Sequence, residues 1–136
     1  MGIIVQTINS LPNLLTLKSA ARTEITDAEL QLRVNFAEEY KEYLSAFGAI
    51  LADGIELSGI TKAEHRNVVL MTKQEWELNS NVPHSMYVIE NTRVDGIIVW
   101  QDASGTIYKT SPDLPPKQIA KSLNEYLQEH ISQSTT

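Results

Sequence analysis

The chain has 136 residues, a hydrophobic content of 42% and no cysteine. This length and composition predict one ordinary domain with its own core, and the lack of cysteine excludes disulfide frameworks and thiolate metal sites. Lysine and arginine number 11 against 17 aspartates and glutamates, and the resulting net charge of -6 disfavours binding to the phosphate backbone of nucleic acids. The first residues hold no basic segment followed by a long apolar run, so we expect a cytoplasmic protein without a signal peptide or membrane span.

Two helices are predicted in the first 35 residues. Pro12 should split the opening helix near Ser10. Its apolar residues at helical spacing are Ile4, Ile8, Leu11 and Leu15. The pair Thr26 and Glu29 has the spacing of a capping box, which predicts the start of the second helix. The inward-facing residues of that helix would be Leu30 and Val34.

Residues 36–59 contain the most clearly bounded helix and the strand that follows it. Gly48 should end the helix, because glycine readily takes the left-handed conformation of the last turn. The turn signal Asp53-Gly54 then separates two β-prone segments. The helix has an apolar stripe of Tyr40, Tyr43, Leu44 and Phe47 and a wet face of Glu38, Glu39, Lys41 and Glu42.

The second half of the chain reads as one more helix, three strands and a closing helix. Residues 67–76 fit a helix beginning near Asn67, although the apolar run after Asn67 also suits a buried strand; we favour the helix. Residues 86–90, 97–101 and 106–110 alternate with glycine-containing turns, which predicts an antiparallel meander. The last helix should begin at Pro116 and present Ile119, Leu123, Leu127 and Ile131 on one face.

This order of segments is typical of an α+β domain in which helices flank an antiparallel sheet. We expect a single domain over residues 1–131 and a disordered polar tail over residues 132–136.

No strong catalytic or metal-binding motif is present. The three histidines are not spaced as paired metal ligands, and neither a phosphate-binding loop nor a nucleophile elbow occurs. Carboxylate pairs remain as candidates for acid–base chemistry in a small hydrolase, although aspartates beside glycine turns more often tie down backbone amides. These pairs are Asp53 with Glu56 and Glu90 with Asp102. We therefore expect a protein that is not an enzyme and that needs no cofactor or metal.

Charge and tryptophan suggest where a protein partner would bind. Residues 38–64 carry six carboxylates against two lysines, a local net charge of -4 that would attract a basic partner, although mild acidity also serves solubility. Trp100 lies on a predicted strand and should pack in the core. Trp76 is the candidate apolar anchor, although core packing explains it equally well. The candidate partner-binding residues are Glu38, Glu39, Glu42, Asp53, Glu56, Glu64 and Trp76.

Over residues 25–130 the chain resembles the SUKH superfamily. The resemblance is carried by F-A-E-E-Y-K-E-Y-L-S-A-F-G-A, N-V-V-L-M-T-K, M-Y-V-I-E, D-A-S-G-T-I-Y and I-A-K-S-L-N-E-Y-L, in this order. That family includes fungal Smi/Knr cell-wall regulators and many bacterial immunity proteins, and the middle of the chain resembles the YobK type most. Phe36-Ala37 stands where the family usually has Leu-Pro, and Phe47-Gly48-Ala49 where it often has an Asn-Gly-Gly type of ending.

The resemblance implies an immunity protein that binds and blocks a cognate polymorphic toxin in the bacterial cytoplasm. Many such toxins are nucleases with basic surfaces, which agrees with the acidic segment of this chain. The alternative is a regulatory or scaffolding module of the Smi/Knr kind that acts without a toxin.

Overall fold

The computed structural model describes residues 2–134, and it confirms the predicted α+β fold. The helices are α1 (Ile3–Asn9), α2 (Arg22–Leu32), α3 (Glu38–Phe47), α4 (Val68–Leu78) and α5 (Leu123–Ser134), with a 3-10 turn at Glu64–Arg66. The strands are β1 (Leu15–Thr16), β2 (Ile50–Ala52), β3 (Ile55–Leu57), β4 (Tyr87–Asn91), β5 (Ile98–Gln101), β6 (Ile107–Thr110) and β7 (Lys117–Ala120).

The strands form two antiparallel sheets. One sheet has the order β1-β2-β3 and the other the order β4-β5-β6-β7. The predicted meander over the last part of the chain is therefore present, with β7 added at its edge. The sheets adjoin where the Ser58 amide donates a hydrogen bond to the Ile89 carbonyl at 2.8 Å.

Helix α3 lies at the centre of the core, as its apolar stripe predicts. Tyr40, Tyr43 and Leu44 are completely buried, and so is Trp100 on β5. Gly48 ends the helix with φ of +72°, and a Cβ at this position would lie only 2.0 Å from the Lys18 carbonyl oxygen. Only glycine fits this turn, because the chain of residues 18–19 passes directly over it.

The helix predicted between residues 67 and 76 is also confirmed. The Asn67 side chain accepts hydrogen bonds from the amides of Val69 and Leu70, which are the first free donors of α4. Val68, Val69 and Thr72 are buried on its inner face.

The predicted start of the second helix was wrong. Helix α2 begins at Arg22, and the Glu24 carboxylate accepts the Ala21 amide at 2.9 Å, so Thr26 lies inside the helix. Leu30, predicted to face inward, is 70% exposed, whereas Val34 is buried. The helix starts five residues earlier than predicted, and its buried residues are Ile25, Ala28 and Leu32.

The predicted start of the last helix was also wrong. Residues 117–120 form β7, which pairs with β6, and α5 begins only at Leu123. The Ser122 hydroxyl accepts the Glu125 amide at 3.0 Å, so the signal for the helix start is serine and not Pro116.

Two terminal segments also differ from their predictions. Helix α1 ends at Asn9 with Ser10 as its cap, as expected, but Leu15 pairs with Leu51 in strand β1. At the other end, α5 continues to Ser134, so residues 132–134 are helical where a disordered tail was predicted. Ile131 packs against the core and favours this extension. Residues 135 and 136 lie outside the described part of the chain.

Candidate protein-binding surfaces

The carboxylates predicted to bind a partner lie in three separate places. Glu38, Glu39 and Glu42 are on α3, Asp53 and Glu56 are in the β2–β3 hairpin, and Glu64 is in the 3-10 turn. A local excess of acidic residues in the sequence thus becomes three smaller groups in space.

Glu38 and Glu42 are exposed and contribute to one shallow depression. Together with Lys41, Val5 and Ala46 they line an open volume of about 560 Å³, which we call the α3 surface. The Lys41 ammonium lies 3.4 Å from Glu38 and 3.8 Å from Glu29, on the neighbouring helix. One lysine thus offsets part of the negative charge that the sequence assigns to this surface.

Glu39 has an internal structural role. Its carboxylate accepts the amides of Leu123 and Asn124 at the start of α5, and the Gln101 side-chain amide at 2.8 Å. Burial raises the pKa of the Glu39 carboxyl above 4.5, and these hydrogen bonds oppose the shift. A carboxylate suits the amino-terminal end of a helix, where free amides and the helix dipole concentrate positive charge. Glu39 therefore connects α3 to α5 and is not available to a partner.

Glu56 is also engaged within the fold. Its carboxylate lies 3.7 Å from Arg66 and 3.7 Å from Arg93, so two cations surround one anion. Asp53 at the hairpin turn is exposed and accepts a hydrogen bond from the Asn13 side chain at 2.8 Å. The hairpin as a whole is consequently not an acidic surface.

Glu64 and Trp76 lie on different elements. Glu64 is exposed in the 3-10 turn. Trp76 on α4 is partly buried: its indole stacks on the His84 ring at 4.2 Å, and its Nε1–H donates to the Met86 carbonyl at 3.1 Å. The Trp76 side chain therefore holds residues 84–86 against α4.

The buried tyrosines of the core are fully hydrogen-bonded. Ser58 Oγ donates its one hydrogen to the Val88 carbonyl at 2.7 Å. The hydrogen bond between Tyr40 Oη and Ser58 Oγ at 2.8 Å therefore has Tyr40 as its donor. Tyr43 Oη donates to the Ser58 carbonyl at 2.7 Å and accepts the Ile50 amide at 3.1 Å. Burial raises the pKa of both phenols above 10.0. These groups fix α3 against the sheets and are not positioned for proton transfer to a ligand.

Glu90 and Asp102, one of the two carboxylate pairs considered for acid–base chemistry, do not form a shared site. Glu90 faces Val99 across the β4–β5 register, whereas Asp102 lies beyond the opposite end of that pairing. Asp102 accepts the Ser104 amide at 3.0 Å, as expected of an aspartate at a turn. Glu90 is buried and accepts hydrogen bonds from the Tyr126 hydroxyl and the Glu56 amide. Within residues 2–134, no group of three or more acidic or histidine side chains is arranged to hold a metal ion.

A second surface, not identified from the sequence, lies between α2 and α4. Two open depressions of about 330 and 470 Å³ share Glu24 and Ile60 in their walls, and we call their union the α2–α4 groove. Asp27, Val69 and Leu70 line the first depression, and Leu17, Lys18 and Lys62 line the second. Four chain segments build this groove, so no local sequence pattern marks it.

In the part of the chain that the structure describes, no helix is both long and apolar enough to cross a membrane.

Comparisons with known proteins identify the family. The sequence model of the SUKH_5 family, described as SMI1-KNR4 cell-wall, matches residues 1–132. The crystal structure of a protein from Pseudomonas syringae pv. tomato aligns with a TM-score of 0.75 over 95% of this chain and 96% of that chain. The two sequences are 15% identical, so this likeness shows the shared fold alone. No curated protein is significantly similar in sequence. Since the family model spans nearly all of the sequence, the chain belongs to the SMI1-KNR4 family of the SUKH superfamily.

Proposed function

We propose that this protein is an immunity protein that binds and neutralises a cognate polymorphic toxin in the bacterial cytoplasm. The observation that carries the proposal is the family match over residues 1–132, since bacterial members of this superfamily include many such proteins. The protein acts by binding and not by catalysis.

The charge of the chain supports a basic partner such as a nuclease domain. A net charge of -6 on 136 residues attracts a positively charged protein over several ångströms and accelerates its association. Exposed Glu38, Glu42, Asp53 and Glu64 contribute to this field, whereas Glu39 and Glu56 are neutralised or hydrogen-bonded inside the fold.

Co-expression tests the proposal. The protein is produced together with the carboxyl-terminal domain of any large secreted protein encoded next to its gene, and growth and co-purification are measured. Restored growth with a stable complex is the expected result. Because exposed charges attract the partner, the association rate should fall as the salt concentration rises above 0.1 M, where screening acts within about 10 Å. Persistent toxicity without a complex would contradict immunity.

The alternative is a regulatory or scaffolding module that binds a host protein. The description of the matching family as cell-wall related favours it. Deletion of the gene in a strain without the neighbouring toxin gene separates the two functions. An immunity protein is dispensable in that strain, whereas loss of a regulator produces a growth or envelope defect.

A further inference from the structure

Four charged side chains line the α2–α4 groove. Glu24, Asp27, Lys18 and Lys62 are all exposed, and none of them takes part in an ion pair among residues 2–134. By contrast, Lys41 partly offsets the α3 surface, and Glu56 is shared by two arginines. Glu24 and Asp27 accept hydrogen bonds from the Ala21 amide and the Gln31 side chain, which are uncharged donors.

The charges of the groove also follow an order along its length. The depression that contains Asp27 has Glu24 as its other charged side chain and no lysine or arginine. The depression beyond Ile60 contains both Lys18 and Lys62. Asp27 therefore lies at one end of the groove, Lys18 and Lys62 lie at the other, and Glu24 lies with Ile60 in the wall that both depressions share.

Apolar side chains line the groove beside these charges. Leu70 on α4 is 47% exposed, and Leu17, just after β1, is 37% exposed. Ile60 between them is partly buried and packs against the core. Burial of exposed apolar area is the main favourable term in protein association, while charges at the rim select the partner and its orientation.

We propose that the α2–α4 groove is the docking site for one short segment of the partner protein, and that this segment has a fixed order of chemistry. A cationic side chain lies at Glu24 and Asp27, an apolar side chain lies against Ile60 and Leu70, and a carboxylate lies at Lys18 and Lys62. This inference rests on the proposed function in so far as the segment belongs to the toxin. It places the contact on α2 and α4, and not on α3.

The test uses synthetic peptides, so it does not depend on the identity of the toxin. The probe is a capped octapeptide of two lysines, four apolar residues and two glutamates, and it is compared with the octapeptide of reverse order. A third peptide of the same composition, with lysine and glutamate mixed at both ends, is the control. Binding to the full chain is followed by NMR amide shifts.

We expect one of the two ordered peptides to shift amides of residues 17–19, 24–31, 60–62 and 67–70, with at least fivefold higher affinity than the mixed peptide. Glu24→Gln with Asp27→Asn should weaken binding about fivefold, because two exposed ion pairs are lost. The matched pair Glu38→Gln with Glu42→Gln, which removes the same charge from the α3 surface, should leave the affinity unchanged. Leu70→Ser should weaken binding, whereas Leu78→Ser, at an exposed position of the same helix, should not.

The proposal is overturned if neither ordered peptide binds better than the mixed one, or if the shifts map to the α3 surface. It is also overturned if the groove amides shift with protein concentration alone, because a second copy of the chain would then be the occupant. Growth rescue by co-expression is scored separately. If the toxin is not neutralised while the ordered peptide binds in the groove, the immunity function fails and the docking site stands.

Discussion

Helices α2 and α3 are both amphipathic and both carry acidic residues, yet the fold uses their charges in different ways. On α3, Glu39 holds the start of α5, and Lys41 lies beside Glu38. On α2, Glu24 and Asp27 line an open groove and form no ion pair among residues 2–134. The density of charge along the sequence therefore does not indicate which charges form ion pairs or hydrogen bonds in the fold. The charges available to a partner are those that the tertiary structure leaves unpaired.

The largest difference between the two helices should be in stability. Tyr43→Ala on α3 removes a completely buried ring and should lower the free energy of unfolding by about 3–5 kcal/mol. Leu30→Ala on α2 removes a side chain that is 70% exposed and should change it by less than about 0.5 kcal/mol. Urea denaturation measures both values. Equal losses would mean that α2 packs more tightly than its burial indicates.

Tyr43→Phe removes the hydroxyl and keeps the ring, so it measures the contribution of the hydroxyl to the free energy of unfolding. The Ser58 carbonyl and the Ile50 amide each lose their bond to this buried hydroxyl, so we expect a loss of about 1–3 kcal/mol. A neutral result in the same urea experiment would show that another group takes over these bonds.

Another prediction concerns two adjacent glutamates of α3. Glu39→Ala leaves the Leu123 and Asn124 amides without their acceptor and should cost about 1–3 kcal/mol. Glu38→Ala removes an exposed ion pair and should cost less than about 1 kcal/mol. Hydrogen exchange in the first turn of α5 should accelerate in the first variant alone. Acceleration in both variants would contradict a specific tether by Glu39.

We also predict that the stability of the fold depends on pH through the Glu90 carboxyl. Burial raises the pKa of this carboxyl above 4.5, so the folded state binds its proton more tightly than the unfolded state does. The stability that this proton contributes is complete below pH 4.5 and is lost as the pH rises through the folded pKa. Glu90→Gln keeps acceptor and donor atoms for Tyr126 and Glu56 but does not ionise.

Stability of the Glu90→Gln variant relative to the wild type should therefore increase as the pH is raised from 4 to 7. Thermal unfolding of both proteins across this range gives the difference directly. A constant or decreasing difference would show that hydrogen bonds from Tyr126 and the Glu56 amide outweigh burial.

The smallest effects are expected from the matched surface variants. Glu24→Gln with Asp27→Asn, and Glu38→Gln with Glu42→Gln, should each change the free energy of unfolding by about 0.5 kcal/mol or less. Glutamine at position 24 still accepts the Ala21 amide. Equal stability, measured by urea denaturation, allows a difference in partner binding to be assigned to the surface itself. A clear loss of stability in one of the two double variants would mean that their binding to a partner could not be compared directly.

Several features followed from local sequence. Three features were predicted because residues close together in the chain define them. They are helix α3 with its end at Gly48, helix α4 with its Asn67 cap, and the meander of β4, β5 and β6. Apolar spacing, capping side chains and glycine turns act within a few residues of the chain. The family resemblance has the same origin, since it rests on the order of these segments.

Tertiary structure alone decided the rest. Strand β7 was missed because its pairing with β6 outweighs the helical signal of Pro116 and Ile119. The role of Glu39 depends on amides 84 and 85 residues away along the chain. The α2–α4 groove assembles residues 17–19, 24–31, 60–62 and 67–70, and its charged side chains form no ion pair among the described residues. Sequence periodicity reports which face of a segment is apolar, but the long-range packing determines which charged side chains remain available to a partner.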